Sequence, residues 1–235
     1  MHIMRKLVYA VKMLRERGIG FFWTYFVESV WFDLRHGTRT FARVPKDEQA
    51  INGSNTEVDE GLLYVASFTS VTRKTVALAR KILGPARFSQ AQFFDLGCGK
   101  GKALLVFAEL YGAKQAHSAI GIEYDPDLTK RAIENIEKCD FAKGRVDVFT
   151  DSAVNLREYA QSQTLVIYLY NSFQGETLRS VLDVLRDIPH VLIYVDPAER
   201  EVLSEYDYQF HYDAKGRYNA DTWLVASSGL EPEPH

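Results

Sequence analysis

The sequence predicts an α/β protein built on a mainly parallel sheet, and three observations carry that expectation. Short β-branched or aromatic runs alternate with helical patterns from about Gln92 onward, several of those runs are nearly continuous in apolar residues, and a glycine-rich turn joins the first of them to a helix. A strand covered on both faces has no solvent side to mark with polar residues, so continuous rather than alternating apolar runs point to helices on both sides of the sheet. The chain has 235 residues, 46% of them hydrophobic and 25% charged, which is enough apolar material for one large domain with a sizeable core.

Taken in order, Ser70–Leu83 has helical spacing, and Gly84-Pro85 is expected to stop it, because glycine supplies the left-handed ending and proline cannot continue the helix. Five strands are expected at Gln92–Leu96, Ala119–Tyr124, Val146–Thr150, Leu165–Tyr170 and Val191–Val195. Between them, Lys102–Tyr111, Pro126–Cys139, Ala153–Gln161 and Gly175–Asp187 carry apolar residues three or four apart and read as helices. Pro197 to Leu203 suggests a further helix. The runs Tyr206–Tyr212 and Thr222–Ala226, separated by Lys215-Gly216, suggest an antiparallel pair at the sheet edge. The organisation read from this is a basic, aromatic-rich helical extension over residues 1–45, a polar linker over 46–61, a main domain over 62–230 and a frayed tail over 231–235, with no internal repeat.

Charge and cysteine content narrow the function classes. The net charge is −3, but residues 1–43 hold eight Lys/Arg against three Asp/Glu, giving +5 there and −8 elsewhere. An acidic main domain is a poor host for a broad phosphate-binding footprint, so nucleic acid is disfavoured as a partner and any such role falls to the extension. Cys98 and Cys139 are too few for a disulfide framework and lie in no metal-ligand spacing, so a reducing compartment and no metal are expected. With no leader pattern and no apolar run of roughly 20 residues, a cytoplasmic location is expected. Within the extension, Ile19 to Phe32 concentrates aromatic residues beside the cations. Two readings follow: peripheral contact with an anionic membrane through residues 1–43, or packing of the aromatics on the domain or a dimer face. Glu28 and Asp33 interrupt the apolar run and favour packing. The oligomeric state is not legible.

The sharpest signal is Phe93-Phe94-Asp95-Leu96-Gly97-Cys98-Gly99-Lys100-Gly101-Lys102, a strand running into a glycine-rich turn and then a helix. Glycines permit positive φ and close approach of a ligand to peptide groups, and the helix start offers unpaired N–H donors. A mononucleotide P-loop ending at Gly101-Lys102 would need a glycine where Leu96 stands. A dinucleotide turn starting at Gly97 would need a third glycine where Lys102 stands, which disfavours the alternative of a nicotinamide-linked oxidoreductase. The remaining pattern, D-x-G-x-G-x-G at Asp95, Gly97, Gly99 and Gly101, resembles motif I of class I S-adenosylmethionine-dependent methyltransferases. The resemblance implies that Asp95 and the turn backbone, Cys98 included, hold the methionine half of S-adenosyl-L-methionine. The Cys98 thiol itself reads as a small packed group.

Some twenty residues on, Glu123 ends the second strand where such a fold places its ribose-binding acid, followed by Tyr124; a carboxylate accepts from two adjacent hydroxyls at once. The alternative is a solvated strand end. Asp125 reads as a helix cap, with Pro126 in the first helical position. Asp151 and Ser152 resemble the family's adenine-binding position, and Asp151 reads equally well as a cap. At the fourth strand end, Asn171-Ser172-Phe173 occupies the position where the family places substrate-facing and catalytic groups. N-methyltransferases carry Asn or Asp, two prolines and an aromatic here; this chain lacks the prolines, so nitrogen is slightly favoured over oxygen as acceptor atom, and Asn171 is both the candidate catalytic group and a cofactor contact. Its alternative is a cap for the helix near Gly175. Residues 62–73 resemble the segment preceding motif I in bacterial methyltransferases of unassigned substrate and, more loosely, in lysine methyltransferases with a lid, making Tyr64, Ser67, Thr69 and Arg73 candidates to cover the cofactor. Alternatively, Thr69 or Ser70 caps a helix and Arg73 is a surface cation. The resemblance spans roughly residues 62–227 and implies a Rossmann-like seven-stranded sheet ordered 3-2-1-4-5-7-6, with an antiparallel C-terminal hairpin and a helical N-terminal extension. The methyl acceptor is not legible, and the same fold with catalysis lost, serving as a cofactor-binding or docking module, is the remaining alternative.

Overall fold

The computed structural model describes residues 19–20, 23–24, 26–41, 66–217 and 219–230. Its sheet contains β1 (Gln92–Leu96), β2 (Ala119–Glu123), β3 (Val146–Thr150), β4 (Leu165–Tyr170), β5 (His190–Val195), β6 (Gln209–Ala214) and β7 (Trp223–Ser228). The spatial order is β3-β2-β1-β4-β5-β7-β6. β1 to β5 pair in parallel, and β7 is antiparallel to both β5 and β6. This is the Rossmann-like arrangement expected from the sequence. Because the chain winds outward from β1 to β3 and returns to β4 on the other side, the carboxyl ends of β1 and β4 flank the crevice of the topological switch point.

The burial pattern explains the apolar runs. β1 and β5 are buried along their whole length, whereas the edge strands β3 and β6 are partly exposed. Alternate residues of the central strands face opposite sides. Phe93, Tyr168, Val191, Ile193 and Val225 join one apolar cluster with α2 (Thr69–Gln90) and α3 (Lys102–Tyr111). Phe94, Leu96, Ile122, Ile167 and Leu169 join the other, which α5 (Gly175–Leu185) closes with Leu178, Val181, Leu182 and Leu185. Between them in sequence, α4 (Pro126–Ile136) starts as expected: Asp125 accepts from the N–H groups of Asp127 and Leu128, with Pro126 behind it, a cap worth about 1 kcal/mol.

Several boundaries depart from expectation. Gly84 ends the first helical segment of α2 as expected, but a second segment follows it directly. The glycine takes φ 71° and ψ 155° and kinks the chain, after which helix resumes to Gln90, because Pro85 is well suited to the first turn of a new helical segment, where no N–H is required. The segments expected as helices after β3 and β5 are 3₁₀ turns at Ala153–Glu158 and Arg200–Glu205. The C-terminal strands begin later than their apolar runs, with a bulge between Phe210 and Tyr212. The linker 46–61, Tyr64 and the tail lie outside the described residues.

From the extension, a π-helical turn Phe26–Val30 leads into α1 (Trp31–His36). Phe32 is buried in the core, its ring 4.6 Å from the His36 imidazole, which meets Phe141 at 5.2 Å. Among the described residues, no helix is long and apolar enough to cross a membrane.

Candidate active site

At the end of β1, Gly97, Gly99 and Gly101 all adopt left-handed backbone, with φ of 73°, 55° and 78°. The turn is folded by its own peptide groups. Gly97 and Cys98 donate to the Ile122 carbonyl at 2.8 and 3.1 Å, and Gly101 donates to Cys98 at 2.9 Å. A Cβ on Gly97 would lie 2.5 Å from both Cβ and Oγ of Ser172, so glycine is what lets the end of β1 meet the end of β4. One position later in the strand order, a Cβ on Gly121 would lie 2.6 Å from Leu104 and 2.8 Å from the Cys98 sulfur. The close strand-to-helix packing that a dinucleotide turn assigns to its third glycine is supplied here by Gly121, which leaves Lys102 free to point elsewhere.

The two acids converge on this turn. Glu123 accepts from the Gly99 N–H at 2.8 Å through Oε2 and from the Asp125 N–H at 3.0 Å through Oε1. Asp95 is buried and stands in register between Gly121 and Tyr168. Burial pushes the Asp95 carboxyl well above its usual range, and the neighbouring Glu123 charge adds to the effect. Burial likewise raises Glu123, against which the N–H donors of Asp125 and Gly99 act. The Cys98 thiol is raised well above normal by burial and by both acids, so it is a neutral packed group and not a nucleophile. Two desolvated carboxyls beside a cradle of glycine peptides suit a ligand that brings positive charge and hydroxyl donors. S-adenosyl-L-methionine carries an ammonium, a sulfonium and a ribose diol, and so fits Asp95, Glu123 and the turn.

Around the rim, Asp151 accepts from Ser152 N–H at 2.7 Å, Asn155 Nδ2 at 2.8 Å and the Tyr159 hydroxyl at 2.6 Å. The Tyr159 hydroxyl is the main reason the Asp151 carboxyl is held below its usual range. Ser152 is the cap of the following 3₁₀ turn, accepting from Val154 N–H at 3.3 Å. A carboxylate offers about four lone-pair sites, so these three donors leave Asp151 one for a ligand amine. Tyr124 is 38% exposed beside Glu123.

At the end of β4, Asn171 adopts φ 39°, and at the end of β5 Asp196 adopts φ 47°. Asn171 Nδ2 donates to Asp196 Oδ2 at 3.1 Å, while Asn171 Oδ1 is buried without a hydrogen-bond partner. Asn171 does not cap α5: Gln174 stands at that position, and the Gly175 N–H donates to Glu199 at 2.9 Å. Beneath the crevice, Tyr168 shares a 3.2 Å hydrogen bond with Thr72 Oγ1 and another with Ser67.

The segment expected to cover the cofactor is tied to the extension. Thr69 Oγ1 donates to the Glu28 carbonyl at 3.0 Å, and Ser70 N–H to the Glu28 carboxylate at 2.8 Å, so the cap at the start of α2 comes from Glu28 and not from Thr69 or Ser70. Arg73 is drawn away from the turn to Glu109 on α3, at 2.9 Å, where Arg35 and His36 also converge at 3.4 and 3.5 Å.

Several residues of this corner escaped the sequence reading. The buried Lys102 donates its Nζ to the Glu28 carbonyl and lies 5.2 Å from the Phe32 ring centroid; burial lowers its pKa to about 8. Asp33 organises the return of the chain, accepting from Thr38 Oγ1 at 2.6 Å, Thr40 N–H at 2.9 Å, Thr40 Oγ1 at 2.7 Å and Phe41 N–H at 3.0 Å. Asn135 then joins extension and turn, accepting from Arg39 N–H at 2.8 Å and donating to the Lys100 carbonyl at 3.1 Å. The available signal was the acids themselves: Glu28 and Asp33 break an apolar run because each accepts from the backbone, Glu28 at the start of α2 and Asp33 at the buried return of the chain.

The strand order, the D-x-G-x-G-x-G turn and the acid ending β2 define the class as that of the S-adenosyl-L-methionine-dependent methyltransferases. The family model described as protein-L-isoaspartate(D-aspartate) O-methyltransferase matches residues 50–167, half of the chain, and the chain belongs to that family. That family is one of S-adenosyl-L-methionine-dependent methyltransferases, whose fold and motif I this chain carries. Over 125 residues it is 31% identical to the ribosomal protein L11 methyltransferase of Xanthomonas campestris pv. campestris (strain 8004), a match covering 47% of this chain and only 38% of that relative. Among solved structures, the magnesium protoporphyrin IX methyltransferase of Synechocystis PCC 6803 is 14% identical with a TM-score of 0.49, covering 87% of this chain and 94% of that one. An rRNA methylase from Streptococcus thermophilus is 13% identical with a TM-score of 0.46, covering 61% and 89% respectively. The comparisons give no support to a nicotinamide-linked oxidoreductase or a catalytically inactive module.

Proposed function

We propose that this methyltransferase transfers its methyl group to nitrogen, on an acceptor whose N–H is received by Asn171 at the carboxyl end of β4. The observation that carries this reading is the buried, unpartnered Asn171 Oδ1 beside an Nδ2 already committed to Asp196. The Asp196 contact fixes the amide orientation, because an amide nitrogen can donate to a carboxylate and an amide oxygen cannot. A buried carbonyl left without a donor is costly, and an acceptor amine or amide N–H satisfies it while turning the nitrogen lone pair toward the methyl group.

Carboxylate methylation, which the family model's description suggests, is the second reading. The local chemistry counts against it: a carboxylate arriving here would meet an amide oxygen and the Asp196 carboxylate where it needs donors. Methyl transfer from a sulfonium is an in-line displacement with a neutral leaving group, so orientation and exclusion of water are the main tasks of these residues.

The test is to incubate the protein with methyl-labelled S-adenosyl-L-methionine and extract, then treat the labelled product with mild alkali. Label that survives, and that co-elutes with N-methylated standards after acid hydrolysis, supports nitrogen as the acceptor; alkali-stable label in an ether or thioether overturns it. Label released as methanol identifies a carboxyl ester and overturns the proposal.

A further inference from the structure

Asn135 is buried on the last turn of α4, and both ends of its amide are used outside its own helix. Its Oδ1 accepts from the Arg39 N–H and its Nδ2 donates to the Lys100 carbonyl. That carbonyl belongs to the peptide joining Lys100 to Gly101, whose N–H donates to the Cys98 carbonyl at 2.9 Å. One peptide of the glycine turn is therefore pinned at both ends, its oxygen by Asn135 and its N–H by Cys98. The peptide joining Cys98 to Gly99 is pinned in the same way, by the Gly101 N–H and by Glu123. Gly99 and Gly101, at φ 55° and 78°, have no side chain to resist a peptide flip, so these bonds must do it. On the far side of Gly101, Lys102 donates to the Glu28 carbonyl. Residues 28–41 thus hold Gly101 from both flanks, through Lys102 directly and through Lys100 by way of Asn135.

We propose that Asn135 is a positioning residue for the cofactor: it transmits the docking of the strap formed by residues 28–41 to the glycine turn, and so sets the affinity for S-adenosyl-L-methionine. The role is independent of which atom accepts the methyl group. A turn held in its binding-competent form binds at full strength, whereas one that samples other peptide orientations binds more weakly in proportion to the fraction that is competent. Coupling of this kind is reciprocal, so the cofactor strengthens the docking of the strap by the same factor. Asparagine suits the task because one short planar group carries both an acceptor for Arg39 and a donor for Lys100; aspartate would bring an acceptor to the Lys100 carbonyl, and leucine would bring neither.

The experiment is calorimetric titration of the full chain with S-adenosyl-L-methionine, paired with hydrogen exchange of peptides covering residues 38–41, for the parent, Asn135→Ala and Thr38→Val/Thr40→Val. The two threonine hydroxyls bond to Asp33 and not to the turn, so the double variant loosens the strap alone. Asn135→Ala should weaken cofactor binding roughly tenfold and the threonine variant roughly threefold. Combined, they should lose no more than Asn135→Ala alone, because the path is already cut. Cofactor should slow exchange at residues 38–41 in the parent and cease to do so in Asn135→Ala. A merely structural Asn135 would lower the melting temperature and leave the affinity of the folded protein unchanged, and that result overturns the proposal. So does an additive loss, an unchanged affinity in the threonine variant, or exchange at residues 38–41 of the parent that is indifferent to cofactor. If Asn135→Ala does not fold, these last two measurements decide the matter by themselves.

Discussion

The two lips of the crevice solve the same backbone problem in opposite ways. On the β1 side, left-handed conformation falls on Gly97, Gly99 and Gly101, which adopt it without steric cost. On the β4 and β5 side it falls on Asn171 and Asp196, which carry side chains into it at a cost of about 1 kcal/mol each. Where peptide groups line the site, side chains are removed. Where the site needs an amide and a carboxylate, they are retained and the strain is accepted. The difference separates a surface made of backbone from one made of functional groups.

The largest effect that tests this contrast comes from Gly97→Ala. Its Cβ would meet Ser172 at 2.5 Å while the residue keeps φ 73°, and about 2–4 kcal/mol of stability should be lost in denaturant titration, with cofactor binding. Adding Ser172→Gly should recover part of it, because the obstructing atoms belong to that side chain; no recovery would mean that backbone conformation alone sets the requirement.

Asp95→Asn should have an intermediate effect of opposite signs on two properties. The folded Asp95 carboxyl is raised above its unfolded value, so its contribution to stability is present at low pH and is lost as pH rises through the folded pKa. At neutral pH the variant should melt higher than the parent, yet bind S-adenosyl-L-methionine roughly 10- to 100-fold more weakly, the equivalent of one charged hydrogen bond. In the parent, affinity should fall on acidification through that raised range; calorimetry across pH should find this limb missing in the variant.

The smallest effect is expected for Asn171→Gly. Relief of the left-handed strain should leave stability within about 1 kcal/mol of the parent, or raise it slightly, while kcat falls and cofactor affinity holds. A variant that retained full turnover would remove Asn171 from the acceptor side of the crevice.

The legibility of the molecule follows the same division. β1 to β4 and the glycine turn were readable because their signals are local: continuous apolar runs, glycines at fixed spacing, and Asp125 just before Pro126. The Gly84 kink was half readable, since the stop signal was present but Pro85 also starts helices. The site's long-range members were not. Glu28 capping α2, Lys102 reaching Glu28, and Asp196 holding Asn171 join residues 42, 74 and 25 positions apart, and no local period records such pairings. Gly121 did leave a trace, as a glycine inside an otherwise apolar strand, which often marks a close approach.

The Asn135 amide, finally, sets an order of events during synthesis. It receives the Arg39 N–H from 96 residues upstream. The extension is made earlier, but this binding partner follows nearly a hundred residues later, a delay on the order of 5–20 seconds at about 5–20 residues per second. Its neighbours arrive in turn, Thr69 and Ser70 first and then Lys102 and Glu109, and the segment bearing Phe32 is fully closed against the domain only once Asn135 and Phe141 have followed, so until then part of its apolar surface is left to whatever the cell offers it.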